Sequence, residues 1–426
     1  MPDLREPHVE DIPADRHTAT GANSRAAVAL LSSIRSARGQ ADPYPLYAQL
    51  RSLGDAVPTP WGLLLTSYRA CSAALRSRSL LTLDATWREQ QGARWTTPAS
   101  RELGRMLITL NPPVHTQQRR ALGAVFDRPA LQRLEPLVEH TTTVLLDRLA
   151  DHLEDSPADF TAVVAEELPI ITIGRWMGLP AQDLPLLRSC VHHISYAQEL
   201  FPTAPQLAQA DQAAEAMAHY FRALVRDRRR SPQDDAITAW LRAWDAHEPD
   251  RAAADEAVRS VATFMLMAGV ETTSSLLNST AWLMAAHPEQ AHWLRRNPHA
   301  VGDAVEEVLR FDPPVQVCSR IARQDTVVGG ARVREGQLVY VLVGSAHHDP
   351  ASTDEAGRFR VDRGGRGPHL AFGGGVHYCL GSGLARLEAA AFLRAYLRRF
   401  PHLQLAAPPR WEPRMAFRRI TSLTLR

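Results

Sequence analysis

The segment Ala371–Gly381, AFGGGVHYCLG, combines one cysteine with three consecutive glycines and a histidine. Apolar residues recur every three or four positions from Leu380 onward, which predicts a helix that begins just after Cys379. Free amide groups and the dipole at a helix N-terminus favour a thiolate, and glycines 373–375 and Gly381 allow positive φ and close approach of a ligand. These features predict a thiolate ligand for a metal carried by a planar cofactor. The alternative is a buried, unreactive cysteine beside an irregular loop.

A second segment, VATFMLMAGVETTSSLLN (261–278), is apolar on nearly all sides, which predicts a buried central helix. Ala268 and Gly269 leave one face of this helix thin enough for a flat group or a diatomic molecule. Glu271 and Thr272 then place an acid and a hydroxyl where burial is costly without partners. This pair is a candidate for proton transfer; a capped or solvent-reaching glutamate is the alternative.

Two pairs of side chains have helical spacing. Glu307 and Arg310, in DAVEEVLRFDPPV, are three residues apart and share a helix face. As an isolated surface pair they would contribute little to stability. His115 and Arg119, in NPPVHTQQRRALGAVF, are four residues apart and can contact the same group.

The cysteine segment matches Phe-Gly-x-Gly-x-His-x-Cys-x-Gly at every specified position. In this it resembles the cytochrome P-450 family of heme-thiolate monooxygenases, in its soluble bacterial form. The resemblance implies that Cys379 is the axial ligand of heme iron and that His377 reaches a heme propionate. Phe372, Gly373 and Gly381 would form the surrounding heme-binding loop.

Further segments resemble the same family in the family's order, from about Asp42 to the C-terminus. Ala268 and Gly269 would lie over the heme, and Glu271 with Thr272 would form an acid–alcohol proton relay. Glu307 and Arg310 would form a buried structural ion pair, which the segment around Arg358 and Phe359 closes. Arg320 is expected to bind one propionate, and His115 with Arg119 another; His369 is also expected near the cofactor. By family position, the substrate pocket would take Phe264, Met265, Val315, Val317 and Phe417.

Two departures from the family pattern are visible. His347 and His348 stand where bacterial relatives usually have Asn-Arg, and Gln117 stands where Arg is usual. Both are expected to alter local ion pairs or the partner surface. The N-terminal extension of about 40 residues is longer than typical and has no assigned role.

Composition sets the broad class. The chain has 426 residues, a formal net charge of +2 and four cysteines without metal-finger spacing, which argues against a nucleic-acid binder and a disulfide framework. The N-terminus has no apolar signal core, and the run VATFMLMAGV is about half the length of a membrane span. We therefore expect a soluble, cytoplasmic monomer. The predicted fold is mainly α with a smaller β region, a single large cytochrome P-450 heme domain over 38–426 preceded by a disordered extension, 1–37.

The resemblance implies heme b (iron protoporphyrin IX), O2 and electrons from NAD(P)H. Because the sequence has no flavin or iron–sulfur motif, ferredoxin and ferredoxin reductase are the expected partners, with Arg119, Arg120 and Arg386 as a candidate landing patch. The expected reaction is hydroxylation or epoxidation of a small-molecule substrate, as a tailoring step of secondary metabolism. Two alternatives stay open: an atypical oxidation on the same scaffold (oxidative coupling, ring formation or nitration), and a non-catalytic heme-binding or recruitment module.

Overall fold

The computed structural model describes residues 20–123, 126, 128–365 and 367–426. These residues form two compact units. The first unit contains 20–82, 306–379 and 411–418, and the second contains 83–305, 380–410 and 419–426.

Helices account for most of the described residues. In chain order they are α1 (Thr20–Ile34), α2 (Ala37–Ala41), α3 (Tyr44–Ser52), α4 (Tyr68–Arg76), α5 (Ala85–Glu89), α6 (Pro98–Gly104), α7 (Val114–Gly123), α8 (Arg128–Asp155), α9 (Glu167–Trp176), α10 (Leu184–Ile194), α11 (Ala204–Arg230), α12 (Ala236–Asp245), α13 (Arg251–Ala286), α14 (Pro288–Arg296), α15 (Val301–Phe311), α16 (Val343–His347) and α17 (Ser382–Arg399). The strands are β1 (Ala56–Thr59), β2 (Gly62–Leu65), β3 (Leu80–Leu81), β4 (Ala158–Asp159), β5 (Val317–Ala322), β6 (Thr326–Val328), β7 (Ala331–Val333), β8 (Leu338–Leu342), β9 (Arg410–Trp411), β10 (Ile420–Ser422) and β11 (Thr424–Leu425).

The first described residues are helical. The sequence predicts disorder as far as residue 37, but α1 occupies Thr20–Ile34 and α2 follows it. Ala27, Leu31 and Ile34 of α1 are all buried, because their spacing of four and three places them on one helix face. The prediction of disorder is therefore wrong for 20–37, and residues 1–19 lie outside the described part of the chain.

A five-stranded sheet, in the order β1-β2-β8-β5-β3, forms the centre of the first unit. β1 and β2 form a hairpin that turns at Pro60 and Trp61, and Gly62 after the turn has a φ of +145°. β6 and β7 form a second hairpin around Gly329 and Gly330, both with positive φ, as tight hairpin turns require. The sheet places Val317 and Arg320 of β5 opposite Leu342 and Val339 of β8.

The second unit is built around α13, which packs against α9, α10, α11, α12 and α17. α13 has buried residues around its whole circumference, as expected of a helix that is apolar on nearly all sides. α8 instead buries one stripe that includes Leu134, Val138, Leu145 and Leu149, because these residues recur at helical spacing. The predicted central helix α13 therefore forms the core of the second unit and carries the polar residues Glu271 and Thr272.

α13 is also the helix, among the described residues, whose length and mean hydropathy of 1.2 would allow it to cross a membrane. The share of this apolar stretch that is buried inside the protein is 83%. A core helix of a folded protein has this burial.

Candidate functional site

Cys379 lies in a loop that folds back on itself immediately before α17. Its backbone N–H donates to the carbonyl of Phe372 at 2.8 Å, and the N–H of Gly373 donates to the carbonyl of Leu370 at 2.8 Å. α17 begins at Ser382, so that Cys379 precedes the helix N-terminus by three residues. The thiol is partly exposed. The loop therefore presents Cys379 at the helix N-terminus, as the sequence predicts.

The four glycines of this loop have different roles. Gly373 and Gly375 have φ of +71° and +63°, and a Cβ on Gly375 would lie 2.7 Å from the carbonyl oxygen of Leu75. The prediction of positive φ is wrong for Gly374, which is extended at −165° and packs against α4, and for Gly381, whose φ is −84°. A Cβ on Gly381 would meet no atom within 4 Å. Neither the backbone conformation nor a neighbouring atom of the described residues therefore requires glycine at position 381.

Arg320 on β5 is a buried cation. The residue is 9% exposed, and Nη1 donates to the carbonyl of Ser319 at 2.9 Å. Its guanidinium also interacts with the thiol of Cys318, whose pKa is raised by burial and lowered in part by this cation. No carboxylate among the described residues pairs with it. Since a buried charge is costly without a counter-charge, the donor set of Arg320 suits an anionic group such as a heme propionate.

The other residues expected to bind propionates lie on two further elements. His115 and Arg119 share one face of α7, and His115 is almost fully buried. Burial and the neighbouring Arg119 charge lower the pKa of His115, so that the ring is neutral near pH 7. His377 ends the short 3-10 helix Gly375–His377 and is partly exposed.

The polar residues of α13 face different neighbours. The Thr272 hydroxyl donates to the carbonyl of Ala268 at 2.7 Å. Gly269 faces α9, because a Cβ there would lie 3.0 Å from Cδ1 of Ile173. The space left by Gly269 is thus filled by Ile173, and the prediction that this glycine thins the helix for a ligand is wrong. Ala268 and Thr272, one turn apart, are both partly exposed.

Glu271 is paired with a histidine that the sequence analysis does not identify. The residue is 2% exposed, and its Oε2 lies 2.6 Å from Nδ1 of His192 on α10. His192 Nε2 lies 3.4 Å from Oε1 of Glu166, which also accepts a hydrogen bond from Arg419 at 3.0 Å. These residues come from four distant segments, and no local spacing relates them. The pairing satisfies the buried carboxylate, which rules out the solvent-reaching glutamate.

Glu307 and Arg310 form a buried ion pair, with distances of 2.7 and 2.8 Å between the guanidinium and the two carboxylate oxygens. All five N–H groups of Arg310 are used: two on Glu307, and the others on the carbonyls of His347, Ala356 and Arg358. Arg310 is completely buried. This arginine therefore connects α15, α16 and the 356–358 segment.

The predicted closing segment contacts this pair through its backbone and through another arginine. The carbonyl of Arg358 accepts a hydrogen bond from Arg310, but the side chain of Arg358 is exposed and pairs with Glu355. Arg363 completes the cluster, with Nε 3.1 Å from Oε1 of Glu307. His369, expected near the cofactor, pairs with Glu306 at 2.9 Å.

His347 and His348 are buried, which favours the expected effect on local ion pairs over an effect on the partner surface. His347 Nδ1 lies 2.9 Å from the carbonyl of Arg310, and its Nε2 accepts from the N–H of Leu370 at 2.6 Å. Burial is the main cause that lowers the pKa of His347 well below its ordinary value. A neutral ring with the proton on Nδ1 fits both contacts, and it ties the ion-pair cluster to the cysteine loop.

The five predicted pocket residues lie in both units. Val315 and Phe417 form an isolated antiparallel β-bridge, and Val317 on β5 is buried. Phe264 and Met265 are 9% and 6% exposed and belong to the core of the second unit.

Arg94 joins two segments of the second unit. It donates to the carbonyls of Glu199 and Leu200 at 2.6 and 2.8 Å, and its guanidinium lies 4.8 Å from the ring centroid of Trp95. Trp95 in turn packs edge-on against Trp87 at 4.8 Å. The segment 93–95 is thereby fixed to the turn that follows α10.

We expect Arg94→Ala to loosen both segments. Because two charge-assisted hydrogen bonds are lost, amide exchange of residues 93–95 and 199–201 should accelerate by about tenfold or more. Hydrogen–deuterium exchange with mass spectrometry measures this. Arg101→Ala, an exposed arginine of α6, is the matched control and should leave these rates unchanged. Equal rates in Arg94→Ala and the unaltered protein would contradict the assignment.

Comparison with known proteins places these features in a family. The family model described as Cytochrome P450 matches residues 80–423. Nocardicin C N-oxygenase of Nocardia uniformis subsp. tsuyamanensis is 34% identical over 381 residues, which cover 87% of this chain and 92% of the relative. 6-Deoxyerythronolide B hydroxylase of Saccharopolyspora erythraea is 32% identical over 377 residues, which cover 85% and 90%.

Solved structures agree with the fold. P450BioI, crystallised in complex with acyl carrier protein ligated to hexadec-9Z-enoic acid, superposes with a TM-score of 0.84 at 28% identity, and the match covers 92% of this chain and 99% of that one. The prediction of a mainly α fold with a smaller β region, in a single large domain, is confirmed.

Proposed function

Because the chain belongs to the cytochrome P450 family, we propose that it is a heme-thiolate monooxygenase that hydroxylates or epoxidises a small organic molecule in secondary metabolism. The observation that carries the proposal is the position of Cys379, held by the folded loop just before α17. The relatives named as a hydroxylase and an N-oxygenase support oxygen insertion as the reaction class.

Residues of this chain would hold heme b as follows. Cys379 supplies the iron ligand, and Phe372 and Gly373 shape the loop around it. Arg320 would bind one propionate, since its buried guanidinium has no carboxylate partner among the described residues. His115 with Arg119, and His377, would bind propionate oxygens through N–H donors.

When bound, the heme supplies O2 activation, in which two electrons and two protons from outside convert O2 and a C–H bond to C–OH and water. The chain relays these protons and supplies the shaped site. Thr272 holds a proton at Oγ1, which in the structure is donated to the carbonyl of Ala268. Rotation of the Thr272 hydroxyl would free this proton for transfer. Glu271, held as a paired carboxylate by His192, is the acid–base group one residue away.

We expect Thr272→Ala to uncouple electron use from product formation. Because the hydroxyl proton is lost, product per NAD(P)H should fall by about tenfold or more, and hydrogen peroxide release should rise. The measurement is product, peroxide and NAD(P)H in one assay. Thr280→Ala is the matched control, since Thr280 makes the same bond to the carbonyl four residues earlier, at 2.7 Å. Unchanged coupling in Thr272→Ala would remove the relay assignment.

We also propose that electrons come from NAD(P)H through ferredoxin reductase and ferredoxin. Arg119 and Arg120 on α7 and Arg386 on α17 are cations that an acidic ferredoxin could contact. Reconstitution with a ferredoxin pair tests this.

The experiment that tests the proposed reaction is a spectral screen for substrates, made with metabolites of the neighbouring genes, followed by turnover under labelled O2. Label in the product supports monooxygenation. Product without label supports coupling, ring formation or another atypical oxidation. Binding of heme without turnover of any bound ligand would favour the non-catalytic module.

A further inference from the structure

His192 lies between two carboxylates in the second unit. Its Nδ1 is 2.6 Å from Oε2 of Glu271 on α13, and its Nε2 is 3.4 Å from Oε1 of Glu166. Glu166 follows the π-helical turn Thr161–Ala165, which orients its side chain toward α10. An imidazolium can donate from both nitrogens at once, and a neutral ring can donate from only one. Nδ1 is within hydrogen-bond distance of Glu271, and Nε2, which makes no hydrogen bond to a described residue, is within ion-pair distance of Glu166. Two carboxylates therefore lie next to the ring and favour its charged form.

Side-chain exposure increases along this series of residues. It is 2% for Glu271, 11% for His192 and 18% for Glu166, and then 25% for Arg188, whose Nε lies 3.8 Å from Oε2 of Glu166. Arg188 also pairs with Glu167. The series thus connects the buried carboxylate of α13 with groups close to solvent.

The charges around His192 favour its cationic form. Burial lowers its pKa, but the neighbouring carboxylates of Glu166 and Glu271 outweigh burial and raise the pKa above the ordinary histidine value. Among the described residues, the charged groups with the largest effect on its pKa are Glu166, Glu271 and, with the opposite sign, Arg419. Burial raises the pKa of Glu166, yet His192 and Arg419 together lower it to about 2, so that Glu166 stays ionised.

We infer that His192 is a positioning residue of the proposed reaction, which holds Glu271 as an oriented carboxylate and links it to Glu166. This inference rests on the proposed function only for its consequence in turnover. The charged ring pairs with Glu271 and fixes the direction of Oε2. When the ring loses its proton, the buried carboxylate loses its counter-charge and takes up a proton more readily.

The sign of the pH dependence follows. The ion pair is complete below the raised pKa of His192 and is lost as the pH rises through it. Product per NAD(P)H should therefore fall as the pH rises through this range. His192→Gln keeps a side-chain donor but cannot titrate. It should lower product per NAD(P)H by about tenfold, and the fall of this ratio with rising pH should disappear.

A direct measurement of charge does not depend on turnover. In heme-loaded protein with 15N-labelled histidine, reduced and bound to carbon monoxide, the ring nitrogens of His192 are followed by NMR as the pH is changed. The resonances that vanish in His192→Gln identify the residue. We expect the His192 ring to titrate with a pKa above the ordinary histidine value. This pKa should be lower in Glu271→Gln and in Glu166→Gln. His292→Gln, an exposed histidine of α14, should leave the titration unchanged.

Two results would overturn the inference. One is a His192 ring whose pKa is at or below the ordinary histidine value, or whose pKa does not respond to Glu271→Gln. The other is a wild-type pH profile of coupling in His192→Gln. If no substrate is oxygenated at all, the proposed function fails. The NMR titration still decides whether His192 is a cation that pairs with Glu271.

Discussion

Replacement of Cys379 by serine or alanine is expected to abolish the red-shifted Soret band of the reduced carbon monoxide complex and to reduce oxygenation to background. The reason is that Cys379 is the sulfur that the loop presents just before α17, and thiolate ligation sets both the spectrum and the O–O cleavage step. The measurement is the reduced carbon monoxide difference spectrum, together with heme content per protein.

Cys190→Ala is the matched control. Cys190 is buried in the core of the second unit on α10 and should keep the red-shifted band. If Cys379→Ala kept that band, another ligand would hold the iron and the site would be assigned incorrectly. A folded, unaltered protein that stays colourless when supplied with heme would contradict the cofactor itself.

Arg310→Lys is expected to lower the stability of the protein and its retention of heme, without altering which position of a substrate is oxidised. Lysine has three donors and no planar fork, and five N–H groups of Arg310 are used. Lysine keeps the charge, so the loss should be about 1–3 kcal/mol for each buried acceptor that is left without a donor. Since a domain is stable by only about 5–15 kcal/mol, this is a large fraction. Denaturant unfolding and heme content measure it.

Arg358→Lys is the control for Arg310→Lys. Arg358 also pairs with a glutamate three residues away, Glu355, but its side chain is 72% exposed. An exposed pair contributes about 0–1 kcal/mol, so Arg358→Lys should leave the unfolding midpoint almost unchanged. Similar losses in both variants would mean that the buried cluster has no special structural role.

Spacing within single segments predicted the features closest to the chemistry. The cysteine loop before a helix, the paired positions Glu307 and Arg310, and the buried helix α13 all follow from glycine content and three- or four-residue periodicity, which act over one or two turns. The family order of the segments added the expected heme site. The predictions that were wrong depend on residues that are distant in sequence. Gly269 faces Ile173 and does not thin the helix for a ligand, and Gly374 is extended and packs against α4.

The amino-acid sequence by itself determined which residue types stand next to each other in this protein: a cysteine among glycines, and an acid beside an alcohol. Only the tertiary structure decided what charges surround them. Glu271 meets His192, 79 residues away in the chain, and Glu307 takes Arg363, 56 residues away, as its second cation. A buried charge needs partners within hydrogen-bond distance, and packing of distant helices, which local spacing does not encode, determines which partners those are.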